Sequence, residues 1–290
     1  MTVVAPVTVI VPAFNAGPFL SITLQSVQQQ THVPERVVVV DDGSTDDTVA
    51  IAEQHGATVL RQENAGPGAA RNRGLTAATT EFVAFLDADD WYVPDKLERS
   101  IEHLRELKAG CVCTDAWVVR GDRVERRKND RRIVPVALTL ELLLRGNPIV
   151  CSSIVARRDA VEAAGGFNED PDLIACEDYD LWLRMSAREP IAYLPEPMTF
   201  YRVHDGSLSS NNRFLRGVDK ILDRIAKEQD GQAHFQALVR RRRADLRLDA
   251  AWDLISQGRR AEARQLITEA GRLSRSWKAW RMRLRSLLPN

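Results

Sequence analysis

The sequence predicts an α/β fold, a mostly parallel central sheet flanked by helices, followed by a C-terminal α-helical extension. Three observations carry this reading. Unbroken apolar runs alternate with helix-compatible segments over the first hundred residues, the pattern of strands buried on both faces. Neither a G-x-G-x-x-G nor a G-x-x-x-x-G-K-[ST] signature opens any of the helices, which argues against hydride transfer and ordinary ATP hydrolysis. From about residue 212 the texture becomes amphipathic and basic: residues 212–290 hold 19 Lys/Arg against 9 Asp/Glu, and residues 1–211 hold 21 against 31. Two units are expected, residues 1–211 and a basic helical region, residues 212–290.

Each element has its own signal. "VTVIVP" (7–12) is a β-branched run stopped by Pro12, the first strand. "LSITLQSVQQQT" then spaces Leu20, Leu24 and Val27 by four and three, as a helix face does. "RVVVVDD" (36–42) is the second strand, and a helix is expected from Asp46 to about His55. Ser44 and Asp47 stand three apart, like a capping box. "ATVLRQ" reads as a third strand, "GPGAARNRGLTAAT" as a loop and an Ala-rich helix, and "EFVAFL" as the fourth strand. Pro94 and Asp95 start the next helix. "CEDYDLWLRM" (176–185) opens a later helix with Glu177, Asp178 and Asp180 in its first turn. In the C-terminal region Gly258 and Gly271 are expected to cap helices. "AAWDLISQGRRAEARQLITEAGRL" has the form of one tetratricopeptide-like helix hairpin.

No apolar run reaches the roughly 18 residues that span a bilayer. The N-terminus has no basic stretch ahead of its first strand, so a signal peptide is not expected. Cys111, Cys113, Cys151 and Cys176 are widely placed and read as small apolar core residues of a reducing compartment, with the cytoplasm as the expected location.

Polar residues gather where the strands end: Asn15 after the first, Asp41 and Asp42 after the second, Asn64 after the third, Asp87 and Asp89 after the fourth. In parallel sheets those ends share one rim, and ligands bind there. Asp87-x-Asp89 can offer oxygens to Mg²⁺ or Mn²⁺, ions that bridge protein carboxylates to substrate phosphates. The competing role for these aspartates is helix capping, and Asp90 stays open between the two. Asp41 or Asp42 can accept the imide N–H of a pyrimidine, with Asp42 favoured for that contact and the other holding the turn before Gly43. Arg71, at a helix start, suits phosphate or a surface ion pair.

"VIVPAFNAGPFL", "VVVVDDGSTDDT", "RQENAGPGAARNRGL" and "FVAFLDADDWYVPDKL" resemble, in order and spacing, the successive signatures of family 2 glycosyltransferases with a GT-A fold. The likeness continues through "GGFNEDPDLIACEDYDLWLRM" and "LPEPMTFYRVHDGSLS", covering residues 7 to about 210. It implies metal-dependent, inverting transfer of a hexose-type sugar from a UDP- or dTDP-sugar to a hydroxyl, in cell-surface polysaccharide or glycoconjugate synthesis. It places Pro12, Ala13, Phe14 and Asn15 along the nucleotide, Asp41 or Asp42 on the base, and Asn64 and Arg71 at the donor. Asp87, Ala88 and Asp89 fall on ribose and metal, with Asp89 the direct ligand. The family's E-D motif lands on Glu177-Asp178, with Asp178 as the base that an inverting reaction requires.

Two further residues extend this set. Trp182, one turn on, stacks on the acceptor sugar or fills the core, and His204 completes the metal shell or meets the diphosphate. Residues 127–148 are expected to lead to the acceptor, a glycan, lipid-linked or protein hydroxyl. "SWKAWRMRLRSLLP" reads as a membrane-surface helix, with packing or homodimer contact as the alternative. The acidic N-terminal part argues against nucleic acid. A nucleotidyltransferase would want a basic, Gly-rich loop after strand one, and "PAFNAGPFL" has no basic residue. A non-catalytic adaptor would not need Asp87, Asp89 and Asp178 together.

Overall fold

The computed structural model describes residues 3–204 and 212–274. The chain divides into two compact units, residues 1–140 with 148–208, and residues 141–147 with 209–290.

In the first unit the elements run β1 (Val3–Ala13), α1 (Gly17–Gln28), β2 (His32–Asp41), α2 (Thr48–Gln54), β3 (Thr58–Arg61), α3 (Pro67–Ala77) and β4 (Phe82–Phe85). Then follow β5 (Trp91–Tyr92), α4 (Lys96–Leu107), β6 (Cys111–Arg120), β7 (Arg123–Arg127), β8 (Ala137–Leu138), β9 (Ile154–Arg157), α6 (Arg158–Ala163), α7 (Glu177–Ser186) and β10 (Ile191–Arg202). The short α5 (Leu140–Arg145) lies at the junction of the two units in sequence.

The strands form one sheet in the order β3-β2-β1-β4-β9-β6-β10-β5, with β7 on β6 and β8 on β10. The first four strands are parallel, as their unbroken apolar runs imply. β9 is antiparallel to both β4 and β6, and β6 and β10 are again parallel.

Strand alternation assigns the two faces. Val7, Val9 and Val11 of β1, with Phe82 and Ala84 of β4, pack with Leu20, Leu24 and Val27 of α1 and with Leu97, Ile101 and Leu104 of α4. Each buried Val, Leu, Ile or Phe among them contributes about 1.5–3 kcal/mol relative to exposure. The intervening residues point to the other face, where α3 lies close enough that a Cβ on Gly74 would sit 2.4 Å from Ile10 Cγ2. On that face Phe85, Phe167 and Trp182 of α7 form an aromatic cluster.

Two local expectations change. α2 starts at Thr48, because Asp46 Oδ1 accepts the Thr48 N–H at 3.0 Å, while Ser44 Oγ accepts from Asn15 N at 2.9 Å instead of closing a capping box. α4 begins at Lys96 with Asp95 in the N-cap position, two residues later than Pro94 as first helical residue suggested.

The second unit contains α8 (Asn212–Glu228), α9 (Ala233–Ser256) and α10 (Arg260–Leu273). α9 and α10 form the expected hairpin around Leu248 and Ile267, with Ala244, Ala251, Ala263 and Ala270 as the small residues that let the helices approach closely. Arg247 ties all three helices, reaching Asp219 at 2.8 Å and Glu269 at 3.0 Å. Gly258 follows α9 at φ +77°, the left-handed cap that favours glycine. Gly271 is not a cap: α10 runs on to Leu273, because burying Ile267 and Ala270 holds its last turn. Among the described residues no helix is long and apolar enough to cross a membrane. The tail segment read as a membrane-surface helix lies outside the described residues.

Candidate active site

Parallel pairing brings the ends of β1, β2, β3 and β4 to one rim, and the loops leaving them are stitched together. Asp42 N donates to Ala13 O at 2.8 Å, Gln62 N to Asp41 O at 2.9 Å, and Leu86 N to Ile10 O at 3.0 Å. Asn15, at φ 49°, accepts at Oδ1 from Thr45 N at 2.9 Å. Pro12 is half-buried on the rim, Ala13 is buried, and Phe14 stands exposed beside Asn15. Asn64 is exposed, and its backbone N would lie 3.2 Å from a Cβ on Gly43, which at φ +85° suits glycine, so the two loops run in close contact there.

The structure separates Asp41, the last residue of β2, from Asp42, which follows it. Both oxygens of Asp42 are occupied: Oδ1 accepts from Gln62 Nε2 and Ala65 N, each at 2.8 Å, and Oδ2 from Gly66 N at 2.9 Å. Asp42 thus pins the loop that leads into α3. Asp41 is also buried, and Oδ1 accepts from Ser44 N at 3.1 Å.

The centre of the site is Arg71. Its guanidinium is buried, with Nη2 2.6 Å from Asp87 Oδ1 and Nη1 2.7 Å from Glu177 Oε1. It lies over the Phe167 ring at 5.2 Å. A helix residue, a strand-end carboxylate and the first residue of α7 thereby become one unit. Arg71 Nε and Glu177 Oε2 are buried with no hydrogen-bond partner among the described residues.

Asp178, next in α7, accepts from Tyr179 N at Oδ1 at 2.6 Å. Burial pushes its carboxyl up to about 7, with the neighbouring Glu177 carboxylate adding to the rise and the Arg71 guanidinium opposing it. A carboxylate in that range can exchange protons near neutral pH.

The other arm holds Asp89 and His204. Asp89 Oδ2 is 3.1 Å from His204 Nε2, and the imidazole stacks on Phe19 with ring centroids 5.5 Å apart. Burial and the charge of Asp87 raise the Asp89 carboxyl. Ala88, between the two aspartates, is buried, and its carbonyl accepts from Thr23 Oγ1 at 2.8 Å. Among the described residues no three His, Cys, Asp or Glu side chains form a metal-binding group. Asp89 with His204, and Asp87 close by, fit Mg²⁺ or Mn²⁺, which take few protein ligands and complete their shell with phosphate and water.

Asp90, left open by the sequence, is a fully buried anchor. Ser152 Oγ donates to its Oδ2 at 2.6 Å, and Arg202 N to its Oδ1 at 2.8 Å. The same Ser152 Oγ accepts from Asp87 N at 3.0 Å, so one serine positions both aspartates. Arg202 went unnoticed in the sequence. Its guanidinium lies over Phe19 at 5.0 Å and Trp91 at 4.8 Å and donates to Asp89 O at 3.1 Å. Its arginine-before-histidine position in "YRVH" was the available signal.

Trp182 is a correction. It is fully buried against Phe85 and Phe167, on the inward side of α7, so it cannot stack on an acceptor sugar. The four cysteines are buried and unpaired, with Cys151 in the electrostatic field of Arg71, Asp87 and Asp178.

The model of the family described as "Glycosyl transferase family 2" matches residues 8–165. A putative teichuronic acid biosynthesis glycosyltransferase, TuaG of Bacillus subtilis, is 31% identical over 212 residues, covering 71% of this chain and 82% of that protein. The UDP-Glc:alpha-D-GlcNAc-diphosphoundecaprenol beta-1,3-glucosyltransferase WfaP of Escherichia coli is 29% identical over 210 residues, covering 71% and 80%. Among solved structures, the mannosyltransferase PcManGT of Pyrobaculum calidifontis in complex with GDP-Man and Mn²⁺ superposes with a TM-score of 0.65 at 21% identity, covering 98% of this chain and 80% of that one.

Proposed function

The chain belongs to glycosyl transferase family 2 and has its GT-A fold, and from that premise we propose that it performs metal-dependent, inverting transfer from a UDP- or dTDP-sugar to a hydroxyl of a lipid-linked glycan. The observation that carries this reading is the buried Arg71 bridge. It joins the strand-end carboxylate Asp87 to Glu177, and the residue after Glu177 has a carboxyl pushed to about 7.

In this reading the acceptor oxygen attacks the anomeric carbon on the face opposite the diphosphate. Asp178 takes the hydroxyl proton, the C–O bond to the diphosphate breaks, and its electron pair leaves with the diphosphate. Arg71 positions Asp87 and Glu177, so both ends of the site keep their geometry during transfer. Asp41 accepts the imide N–H of the base, while Asp42 shapes the loop beside it. Asn15 and Phe14 border the nucleotide. Asp89, Asp87 and His204 would hold Mn²⁺ or Mg²⁺, which supplies positive charge to the leaving diphosphate. The relatives support donor and acceptor classes: the name of WfaP specifies UDP-Glc and a diphosphoundecaprenol-linked acceptor, and PcManGT was solved with GDP-Man and Mn²⁺. We assign the chemistry to residues 1–211 and a packing, pairing or membrane-facing role to residues 212–290.

The test is a panel of nucleotide sugars with and without Mn²⁺, read by release of the nucleotide diphosphate. One donor should stand out, EDTA should abolish turnover, and Asp178→Asn should lower kcat by roughly 10²–10⁴-fold. Full turnover by Asp178→Asn would remove Asp178 as the base. No turnover and no thermal shift with any nucleotide would remove the donor reading.

A further inference from the structure

A second charged cluster lies in β7 and the turn that follows it. Residues 123–132 hold six Lys/Arg against Glu125 and Asp130. Some of these cations are already neutralised: Arg127 is 3.0 Å from the buried Asp115, and Arg126 is 3.9 Å from Asp130. Lys128 is different. It is half-buried, its Nζ lies 5.2 Å over the Tyr201 ring of β10, and among the described residues its ammonium has no carboxylate or hydrogen-bond partner. The guanidiniums of Arg131 and Arg132, both exposed, likewise have no carboxylate partner among the described residues.

Backbone contacts fix this cluster to the site. Lys128 N donates to Ala116 O at 2.7 Å. Asn129 Nδ2 donates to Pro148 O at 3.1 Å, and that strand of chain continues into Ser152, the serine that holds Asp87 and Asp90. Tyr201, beneath Lys128, precedes Arg202, whose N–H is bonded to Asp90. α7 packs on β10, and the charge of Asp178 is felt at Lys128. Directly after the cations come Ile133, 100% exposed, and Val136, 67% exposed, an apolar tip beside a basic patch.

We propose that Lys128 and Arg132 form the acceptor subsite, binding the diphosphate of a prenyl-diphosphate-linked sugar while Ile133 and Val136 meet the start of its isoprenoid chain. The proposal rests on the transferase reading and specifies its acceptor. A diphosphate on the anomeric oxygen of the acceptor sugar stands one ring away from the hydroxyl that Asp178 deprotonates, which suits a cation cluster near, but not in, the carboxylate centre. A cation–π contact contributes about 0.5–2 kcal/mol, a weak return for burying an ammonium beside other cations. Burial, Arg126 and Arg132 all disfavour its charged form, and a bound dianion reverses that balance. Arginine adds paired donors matched to phosphate oxygens.

The experiment is equilibrium binding of farnesyl diphosphate to the full chain, saturated with UDP and Mg²⁺, with farnesol and inorganic diphosphate as parallel probes. Lys128→Ala and the double variant Lys128→Ala/Arg132→Ala should weaken farnesyl diphosphate at least tenfold, Lys128→Arg should retain most of the binding, and both other probes should bind at least tenfold more weakly. Arg132 is exposed, so Arg132→Ala alone is a folded control variant and should still show a measurable loss. Unchanged binding by the double variant overturns the proposal. Equal binding of inorganic diphosphate overturns the lipid assignment, equal binding of farnesol overturns the anion site, and binding seen only when UDP is left out assigns the probe to the donor pocket and overturns the subsite. The UDP thermal shift of the wild-type chain is measured separately. Its absence counts against the transferase reading, whereas a normal shift with unaltered farnesyl diphosphate binding in the variants counts against the subsite alone.

Discussion

Arg71 and Glu177 are buried together, Nη1 to Oε1 at 2.7 Å, although 106 residues separate them in the chain. Removing one partner of such a pair leaves the other charge without compensation, a cost of about 3–5 kcal/mol. Arg71→Ala should therefore lower unfolding free energy by that amount in urea titrations, since Asp87 also loses its partner. Glu177→Gln keeps an acceptor for Nη1 and should cost less. An apolar pair, Arg71→Met with Glu177→Leu, should recover part of the stability of Arg71→Ala while turnover stays low. Recovery of turnover as well would reduce the bridge to packing.

Asp178 links stability and activity to pH in opposite directions. Its carboxyl titrates at about 7 in the folded chain against an ordinary 3.8, because it is desolvated by the surrounding chain and lies beside the Glu177 carboxylate. The folded state holds this proton more tightly than the unfolded state does. Its contribution to stability is thus full below about pH 4 and is lost as pH rises through 7. Asp178→Asn should gain stability relative to the parent between those limits and gain nothing further above them. The base form appears over the same range, so kcat should rise with pH through the region of 7 and that limb should vanish in the variant. Melting curves and a pH–rate profile on the same samples check both directions.

The two aspartates at the end of β2 should separate cleanly. Asp42→Ala strips acceptors from Gln62, Ala65 and Gly66, and leaving buried donors unpaired costs about 1–3 kcal/mol. Asp41→Asn keeps an oxygen for Ser44 N and should retain the melting temperature, while weakening UDP binding measured by calorimetry. The reverse pattern, with Asp42→Ala stable and Asp41→Asn unfolded, would exchange their roles.

These pairs also show what the sequence could and could not reveal. The parallel half was legible because β1, β2 and β4 are unbroken apolar runs and because α1 spaces Leu20, Leu24 and Val27 on one face. The rim followed, since parallel strands must end together. Partner choice did not follow. Nothing local to Arg71 says that its carboxylates are Asp87 and Glu177, and Asp90 resolves only when Ser152 and Arg202 arrive from distant segments. Trp182 was ambiguous for the same reason: a helix residue near an acidic first turn can face either way, and the direction is set by Phe85 and Phe167. Lys128 sits in a segment without regular periodicity, and its nearness to the site depends on Asn129 and Pro148 meeting in three dimensions.

The close approach of α3 to β1 gives a last prediction, because α3 carries Arg71. A Cβ on Gly74 would lie 2.4 Å from Ile10 Cγ2 and 3.3 Å from Cγ1, and a well-packed interior yields little room. Gly74→Ala improves helix propensity by about 1 kcal/mol, but overpacking costs about 1–3 kcal/mol and shifts backbone. Steric cost should win, since the contact is far shorter than van der Waals distance and Ile10 is fixed in the middle of the sheet. Gly74→Ala should lower stability and, by displacing α3, loosen Arg71 from Asp87 and depress turnover. Ile10→Ala alone leaves a cavity and should cost about 2–5 kcal/mol. In the double variant the new methyl fills part of that space, so the two losses should fall short of adding. Strict additivity in denaturant titrations would mean that the helix moves away from the strand instead of pressing on Ile10.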